Sequence, residues 1–449
     1  MDQLAHYYLI LALVEDKSFI VNKYYHYIYW VCGYYNGNYY IAKSPGLSFL
    51  GIPIYIASKY LSNYILFFKE YQFILTSFVA FLSSLTAVLI YDMCKLFKCK
   101  ERTAIITSLL YAFGTIAWTD SKLFEDGSVS PFFIVLGIYL LIRTAKTKDM
   151  TRIKEYTYIS LAGVTLGYSV LIEYSNFFIV LPGIIYMFYF QRTSLRVKRS
   201  FIMFILPFLT CISTIFLLNW IIYGSPFENA YNYHITGGTM HFSITNIPTS
   251  SFSMLLYSTE GAGSLFFYQP LIFFTSSYGM VQMYRRFKGE ALLFVISILS
   301  NLLFYSLREA SVNQNHHIGP TYMPPVMPLI VIFTAFTIEY ISAQNVPKST
   351  KWIFWCIFIG LFSFSIVVIG ICVLTYNIVL LTEPIAYIKG FELLRSGYLD
   401  PRLLKHRFLP FIFIGIILFI LFWDRMGALR NLLERVIYTM KKRGGFSEP

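Results

Sequence analysis

The stretch QFILTSFVAFLSSLTAVLIYDM, residues 72–93, runs directly into the basic segment CKLFKCK at 94–100. A membrane-spanning helix needs about 20 apolar residues, and runs of this kind recur along the chain. The chain has 449 residues, of which 57% are hydrophobic and 13% charged, whereas a soluble protein carries about 25% charged residues. We therefore predict an all-α polytopic membrane protein, because a transmembrane β-barrel would show short alternating segments instead.

Eleven transmembrane helices are predicted, at 72–93, 103–118, 128–144, 157–172, 175–190, 200–223, 264–283, 290–306, 320–342, 352–381 and 408–424. The two runs on either side of Glu173 could instead form one broken helix or a hairpin. The predicted organisation is an outer loop with interfacial helices at 1–71, a helical bundle at 72–424 and a basic tail at 425–449. Outer loops are predicted at 119–127, 224–263, 307–319 and 382–407.

The distribution of lysine and arginine among the loops predicts the orientation of the chain in the membrane. Short loops and the tail from Arg425 hold 24 of the 36 basic residues, and cytoplasmic loops carry such an excess. We therefore assign the net charge of +13 to topology rather than to nucleic-acid binding, and predict a multi-pass cell-membrane protein with a cytoplasmic C-terminus. This places residues 1–71 outside, unless the run at 46–60 crosses the bilayer. With residues 1–71 outside, either the chain inserts with its N-terminus outside or a span is missing upstream; we expect the second, with the true start further upstream.

The stretch YIAKSPGLSFLGIP, residues 40–53, contains a lysine, two prolines and two glycines within an oily segment. A short run with Lys43 and Lys59 at its ends and Pro53 inside fits an interfacial or re-entrant helix better than a full span. Lys43 is then expected at headgroup depth on the outer side.

Carboxylates, histidines and cations are predicted to ring the outer face of the bundle. The candidates are Asp2, Glu125, Asp126, Glu228, Arg308, His316 and His317. Outer loops are polar in any case, and Asp126 could simply stabilise the start of the helix at 128–144. Arg308 could bind a phosphate or pair with a neighbouring acid. The two histidines leave a divalent metal open, although adjacent side chains point in different directions on regular structure.

Tyrosines cluster in the first outer segment, among them Tyr39 and Tyr40. They are typical of the aromatic belt at a membrane interface, or alternatively of a surface that stacks on sugars or lines a prenyl chain.

Several motifs together resemble the membrane glycosyltransferases of the GT-C superfamily, with protein O-mannosyltransferases and lipid A aminoarabinose transferases as the most similar branch. The motifs are MDQLAHYYLILALVEDKSFIVNKY (1–24), NGNYYIAKSPGLSFLGIPIY (36–55), GTIAWTDSKLFEDGSVSPFF (114–133), YGSPFENAY (223–231) and GPTYMPPVMPLI (319–330). Together they cover most of residues 1–330. The resemblance implies a GT-C-like helical bundle that transfers a sugar from a polyprenyl-phosphate donor to a protein, lipid or glycan acceptor at the outer face, with inversion and without a certain cofactor.

Carried onto this chain, the resemblance implies Asp2 as a general base, Asp126 or Glu125 as a second acidic residue, and Lys43 at the donor phosphate. Tyr40, Glu228, His316 and His317 are the further substrate-binding candidates. The chain departs from the family at Thr321, where an arginine is usual, and Arg308 could replace that phosphate contact.

Two other functions stay open at this stage. One is a transporter or flippase for a lipid-linked glycan, although transporters usually show internal repeats and charges at the membrane midplane. The other is a non-catalytic GT-C-like membrane protein, which the absence of the usual arginine at position 321 favours.

Overall fold

The computed structural model describes residues 2–65, 70–147, 150–191, 197–235, 242–256, 264–308, 322–375 and 386–399. Within these ranges the chain is helical apart from one hairpin. The helices are α1 (Asp2–Glu15), α2 (Tyr25–Ile28), α3 (Gly46–Leu61), α4 (Tyr71–Leu96), α5 (Glu101–Gly114), α6 (Ala117–Asp120), α7 (Asp126–Lys146), α8 (Arg152–Ile172), α9 (Asn176–Gln191), α10 (Val197–Tyr223), α11 (Ile247–Leu255), α12 (Leu265–Tyr268), α13 (Pro270–Arg286), α14 (Lys288–Ser306), α15 (Met327–Ile341), α16 (Lys348–Thr375) and α17 (Ala386–Arg395). The strands are β1 (Cys32–Tyr35) and β2 (Asn38–Ile41).

Six helices in these ranges are long and apolar enough to cross a membrane: Tyr71–Leu96, Asp126–Lys146, Arg199–Tyr223, Lys288–Ser306, Pro324–Ile341 and Lys348–Thr375. The predicted all-α membrane bundle is confirmed, whereas a count of eleven spans is not. The predicted span at 408–424 and the tail at 425–449 lie outside the described residues. The predicted domain boundaries and the sidedness of the loops stay predictions.

The bundle is built around α15. Every residue from Met327 to Ile338 is buried, and 83% of the apolar window at Pro324–Ile341 is covered by neighbouring helices. By contrast, only 11% of the apolar window of the helix at Arg199–Tyr223 is buried, and large side chains such as Trp220 and Ile221 are exposed there. An apolar helix surface of this kind is suited to contact lipid rather than water.

The break between α8 and α9 falls at Glu173. Helix α8 ends at Ile172 and α9 begins at Asn176, so residues 173–175 interrupt the helical run. The side-chain amide of Asn176 bridges the break, because its Nδ2 donates to the carbonyl of Ser169 and to Oγ of Ser130 on α7, both at 2.8 Å. The break therefore has a fixed position against the start of α7.

The segment Lys43–Gly46 packs against the end of α8. Helix α3 begins at Gly46, and the hydroxyl of Tyr168 donates to the Gly46 carbonyl at 2.8 Å. A Cβ atom on Gly46 would lie 2.5 Å from the carbonyl oxygen of Leu171, a distance that only glycine tolerates. This close approach brings Lys43 next to the break at Glu173.

The hairpin closes the other side of the same region. Asn36 and Gly37 have φ of 46° and 80°, as a two-residue hairpin loop requires. Gly33 of β1 forms an isolated bridge with His234, which ties the hairpin to the 3-10 helix Ala230–Tyr233. The residues of this bridge, 201 positions apart in the chain, therefore meet beside Lys43.

Candidate functional site

His6 and Asp126 form a buried polar contact between α1 and α7. Nε2 of His6 lies 3.1 Å from Oδ1 of Asp126, and both residues are buried. Nδ1 of His6 lies 3.2 Å from Oγ of Ser48 on α3, and that hydroxyl donates to the His6 carbonyl. Because a serine hydroxyl has one hydrogen, Nδ1 is the donor to Ser48. The contact with Asp126 therefore needs a proton on one of the two facing atoms.

Glu173 forms the other half of this acidic cluster. Its Oε1 accepts a hydrogen bond from Oγ of Ser175 at 3.3 Å. The hydroxyl of Tyr305 lies 2.5 Å from the same Ser175 oxygen. Burial, followed by the charge of Asp126, raises the pKa of Glu173 to about 7, while the ammonium of Lys43 opposes this shift. Burial and a neighbouring acid therefore oppose the ionisation of Glu173.

A pocket lies beside the cluster. Its polar end includes Lys43, Tyr174 and Tyr231, and its apolar wall includes Ile215 and Ile222 of α10. Helix α10 is the sparsely covered helix described above, with exposed apolar side chains such as Trp220 and Ile221, and it forms part of the pocket lining. The pocket is thus lined by both a cation and apolar side chains.

The positive charge of Lys43 affects the pKa values of groups around this pocket. Burial, followed by the Lys43 charge, lowers the pKa of His234. Burial raises the pKa of Tyr231 well above its usual value, whereas Lys43 opposes the shift. Burial likewise raises the pKa of Tyr174, so both hydroxyls stay neutral donors. An anion at this end of the pocket would meet one ammonium and several neutral hydrogen-bond donors.

Arg308 reaches the cluster through two stacked rings. Its Nη1 donates to the hydroxyl of Tyr322 at 3.1 Å. The Tyr322 ring stacks on that of Tyr305, with centroids 4.0 Å apart and planes at 10°. Through Tyr305 and Ser175, this arginine is therefore connected to Glu173.

The other predicted site residues do not all lie in this cluster. Asp2 begins α1, four residues before His6, and its side chain lies outside the description. Glu125 is buried directly before α7, and Tyr40 lines the pocket. Glu228 accepts from Asn232 at 2.7 Å in the following loop. His316, His317 and Thr321 lie outside the described residues.

Metal-ligand groups can be assessed only among the described residues. Within the described ranges, no group of three or more His, Cys, Asp or Glu residues is arranged to hold a metal ion. The residues that the sequence left open for a metal, His316 and His317, are not among those described.

Sequence reasoning missed His6 and treated Glu173 only as a break between helices. Two features of the sequence could have indicated these residues. His6 follows Asp2 by one helical turn, so the two positions share a face of α1. Glu173 is an acid between two apolar runs, and an ionisable residue in such a setting is a functional candidate.

A family model covers the part of the chain that holds most of these residues. The family model for dolichyl-phosphate-mannose-protein mannosyltransferase matches residues 7–232, a range that contains Lys43, Asp126, Glu173 and the 3-10 helix at 230–233. The chain belongs to this family. The motif at 319–330 lies beyond the matched range, and no curated protein sequence matches the chain.

Solved structures share the fold. The archaeal oligosaccharyltransferase AglB from Archaeoglobus fulgidus, solved with an inhibitory peptide and a dolichol-phosphate, has a TM-score of 0.50 and 12% identity, covering 82% of this chain and 51% of AglB. ArnT from Cupriavidus metallidurans in the apo state has a TM-score of 0.48 and 14% identity, covering 80% of this chain and 58% of ArnT. The chain thus spans a little over half the length of these proteins, and the predicted GT-C-like fold is confirmed.

Proposed function

We propose that the protein is a membrane glycosyltransferase that moves a sugar from a polyprenyl-phosphate donor to an acceptor at the outer face, with inversion. The observation that carries the proposal is the pocket lined by Lys43 and by apolar side chains of α10, beside the buried carboxyl of Asp126 and the partly buried carboxyl of Glu173. A lipid phosphate has one anionic end and one apolar end, and this pocket offers a partner for each.

In this proposal the donor phosphate lies against Lys43 and the hydroxyls of Tyr174 and Tyr231. The prenyl chain follows Ile215 and Ile222 towards the lipid-facing side of α10. The sugar then lies towards the acidic cluster. No nucleotide is involved, so no glycine-rich phosphate loop is needed.

The proposed reaction is a single displacement. The acceptor oxygen forms a bond to the anomeric carbon as the bond from that carbon to the phosphate oxygen breaks. The electron pair of the broken bond stays on the phosphate, where Lys43 offsets the growing charge. The acceptor proton passes to a carboxylate, for which we assign Asp2 or Asp126. One displacement of this kind inverts the anomeric centre.

Two comparisons support the choice of donor. The family to which the chain belongs is named for dolichyl-phosphate-mannose. AglB, which shares the fold, was solved with a dolichol-phosphate. Neither comparison identifies the acceptor, so protein, lipid and glycan acceptors are all to be tested.

The test is sugar transfer in proteoliposomes from labelled dolichyl-phosphate mannose to a membrane extract that contains all three kinds of acceptor. For Lys43→Ala we expect the donor KM to rise roughly 10- to 100-fold, because a hydrogen bond to a charged group contributes about 1.5–3 kcal/mol. For Asp126→Asn and Asp2→Asn we expect kcat to fall roughly 10²- to 10⁴-fold, the usual share of acid–base catalysis.

Lys23→Ala is the matched control. Lys23 lies in the same first segment, but its side chain is 67% exposed and pairs with Asp16 at 3.3 Å, so transfer should not change. Unchanged transfer in both aspartate variants would refute their catalytic assignment. Movement of the donor across the bilayer without any sugar transfer would favour a transporter instead.

A further inference from the structure

A chain of contacting aromatic rings runs through residues 25–39. Its members, called the aromatic surface from here on, are Tyr25, Tyr29, Trp30, Tyr34 and Tyr39. The ring of Tyr29 lies 3.6 Å from that of Trp30 and 6.2 Å from that of Tyr25. Tyr25 stacks on Tyr39 with centroids 3.9 Å apart and planes at 18°, and the Tyr39 ring lies 5.0 Å from that of Tyr34. Trp30 and Tyr34, at the two ends of the chain, are 48% and 50% exposed, so a ligand in solution can reach these rings.

The exposed rings are held in place by their neighbours. The hairpin register places Tyr34 directly opposite Tyr39, and cross-strand aromatic pairs stabilise such a hairpin. The backbone N–H of Tyr39 donates to Oδ1 of Asn22 at 2.7 Å, and Nδ2 of Asn22 donates to Oδ1 of Asn38 at 2.9 Å. Because these side chains are already ordered, a ligand that stacks on them costs little further side-chain entropy. The same ligand meets the exposed amide of Asn22 beside the rings.

The composition of the aromatic surface differs from that of a lipid-facing helix. Between residues 16 and 45 the exposed large apolar side chains are all aromatic, namely Tyr27, Trp30 and Tyr34. On α10, by contrast, most of them are aliphatic, such as Leu206. A glycan fits exposed rings with amides beside them. The C–H face of a sugar ring is slightly positive and packs on the negative face of an aromatic ring, and its hydroxyls exchange hydrogen bonds with an amide such as that of Asn22.

The hairpin separates the aromatic surface from the pocket. Successive residues of a strand point to opposite faces, so Tyr40 lies on the face opposite its neighbour Tyr39. Tyr40 lines the pocket, and its ring lies 5.8 Å from that of Tyr223, another lining residue. A sugar on the aromatic surface is therefore on the far side of the hairpin from the pocket. A molecule that reaches both must be several sugar units long.

We propose that the aromatic surface binds the acceptor as a glycan chain, several sugar units away from the unit that receives the new sugar. This inference rests on the proposed function, for which it names the acceptor class. The chain is held by stacking and hydrogen bonds, and no covalent step takes place on this surface. Because glycan binding does not require sugar transfer, the two can be tested separately.

The first test is glycan binding by the full-length protein in nanodiscs without donor, measured by isothermal titration calorimetry. The probes are linear manno- and gluco-oligosaccharides of one to six units. We expect saturable binding that strengthens with chain length in at least one of the two series. Trp30→Ala and Tyr34→Ala should each weaken binding of the hexasaccharide about 10-fold, as truncation of an aromatic contact residue does. Failure of every oligosaccharide to bind the wild-type protein would overturn the proposal.

Two further variants control this measurement. Tyr34→Phe keeps the ring and should bind the hexasaccharide as the wild type does. Tyr60→Ala should also bind as wild type, because Tyr60 is 63% exposed but lies near the end of α3, outside the aromatic surface. Binding that survives unchanged in both Trp30→Ala and Tyr34→Ala would place the glycan elsewhere and contradict the proposal.

A second measurement tests the alternative that these rings belong to the aromatic belt at the membrane interface. Brominated phospholipids quench the fluorescence of a tryptophan that contacts the bilayer, and the signal of Trp30 is the difference between wild type and Trp30→Phe. We expect this signal to change with the hexasaccharide and not with brominated lipid. Trp220, exposed on α10, is the positive control, and Trp220→Phe should remove part of the lipid quenching. Quenching of the Trp30 signal by brominated lipid would assign the surface to the bilayer and refute glycan binding.

In the transfer assay the same variants should act on the acceptor alone. Trp30→Ala should raise the KM for a hexasaccharide acceptor about 10-fold, with kcat and the donor KM unchanged. Transfer to unglycosylated peptide or lipid, with none to a glycan, would also overturn the proposal. Absence of any transfer by the wild-type protein would count against the proposed function, and the calorimetry would still decide on the aromatic surface.

Discussion

His6 is the residue on which α1, α3 and α7 converge, through its contacts with Ser48 and Asp126. Removing one partner of a buried polar contact typically costs about 1–3 kcal/mol, because the other partner is left unsatisfied. We therefore expect His6→Ala to lower the thermal unfolding temperature in detergent and to reduce sugar transfer. A lowered temperature with full transfer would show that His6 is structural only.

Two amide variants separate the two nitrogens of His6. Glutamine places its amide near the position of Nε2 and asparagine near that of Nδ1, so His6→Gln should retain the contact with Asp126 and His6→Asn the one with Ser48. We expect His6→Gln to keep more transfer activity than His6→Asn. His26, which is exposed, supplies the control, and His26→Ala should change neither stability nor transfer.

Some of these residue roles could be predicted from the sequence and others could not. Asp126 follows from its place before a helix, and the simpler alternative was also partly right, since it does lie in the first turn of α7. The sequence could not show that the residue is buried against His6. That contact depends on the packing of α1 on α7, which lie more than 100 residues apart along the chain.

At the scale of elements, Glu339 joins the end of α15 to the start of α5. Its Oε1 accepts from the Lys100 backbone N–H at 2.8 Å and from Oγ1 of Thr103 at 2.5 Å. In the fold it satisfies a backbone donor at a helix N-terminus, a role usually filled by a residue of the same helix.

We expect Glu339→Ala to reduce stability by about 1–3 kcal/mol, because it leaves a backbone donor of α5 without this charged acceptor. The measurement is thermal unfolding in detergent micelles at one pH. Thr103→Val, which removes one of the two donors, should cost less. Equal stability of Glu339→Ala and wild type would show that these contacts contribute little to joining the two helices.

Individual helices could be predicted from the sequence better than the contacts between distant segments. A helix was expected at 46–60 and is found at Gly46–Leu61, because the turn residues Ser44 and Pro45 and the apolar run after them are local signals. The contact of Gly46 with Leu171 and the bridge from Gly33 to His234 depend on segments far apart in the chain. These contacts are what bring Lys43 to Glu173, so the pocket could not be predicted from local pattern.

At the scale of the whole molecule, α7 relates the site to the two faces of the membrane. It carries Asp126 in its first turn and Lys146 in its last, and 21 residues at 1.5 Å each span about 30 Å, the thickness of the hydrocarbon core. Nζ of Lys146 pairs with Oε1 of Glu290 at 2.7 Å, at the opposite end from the acidic cluster. If basic loops face the cytoplasm, the cluster lies at the outer face.

This sidedness can be tested with single cysteines in a background free of the six native ones. His26 in α2 and Gln344 after α15 are both exposed, and the charge pattern places them on opposite faces. In intact cells, a maleimide that does not cross membranes should label His26→Cys, and it should label Gln344→Cys only after permeabilisation. The reverse pattern would place the pocket with Lys43 on the cytoplasmic side, where an acceptor would have to be cytoplasmic as well. Labelling of both positions in intact cells would contradict the assignment of α15 as a full span, because His26 and Gln344 would then share one side of the bilayer.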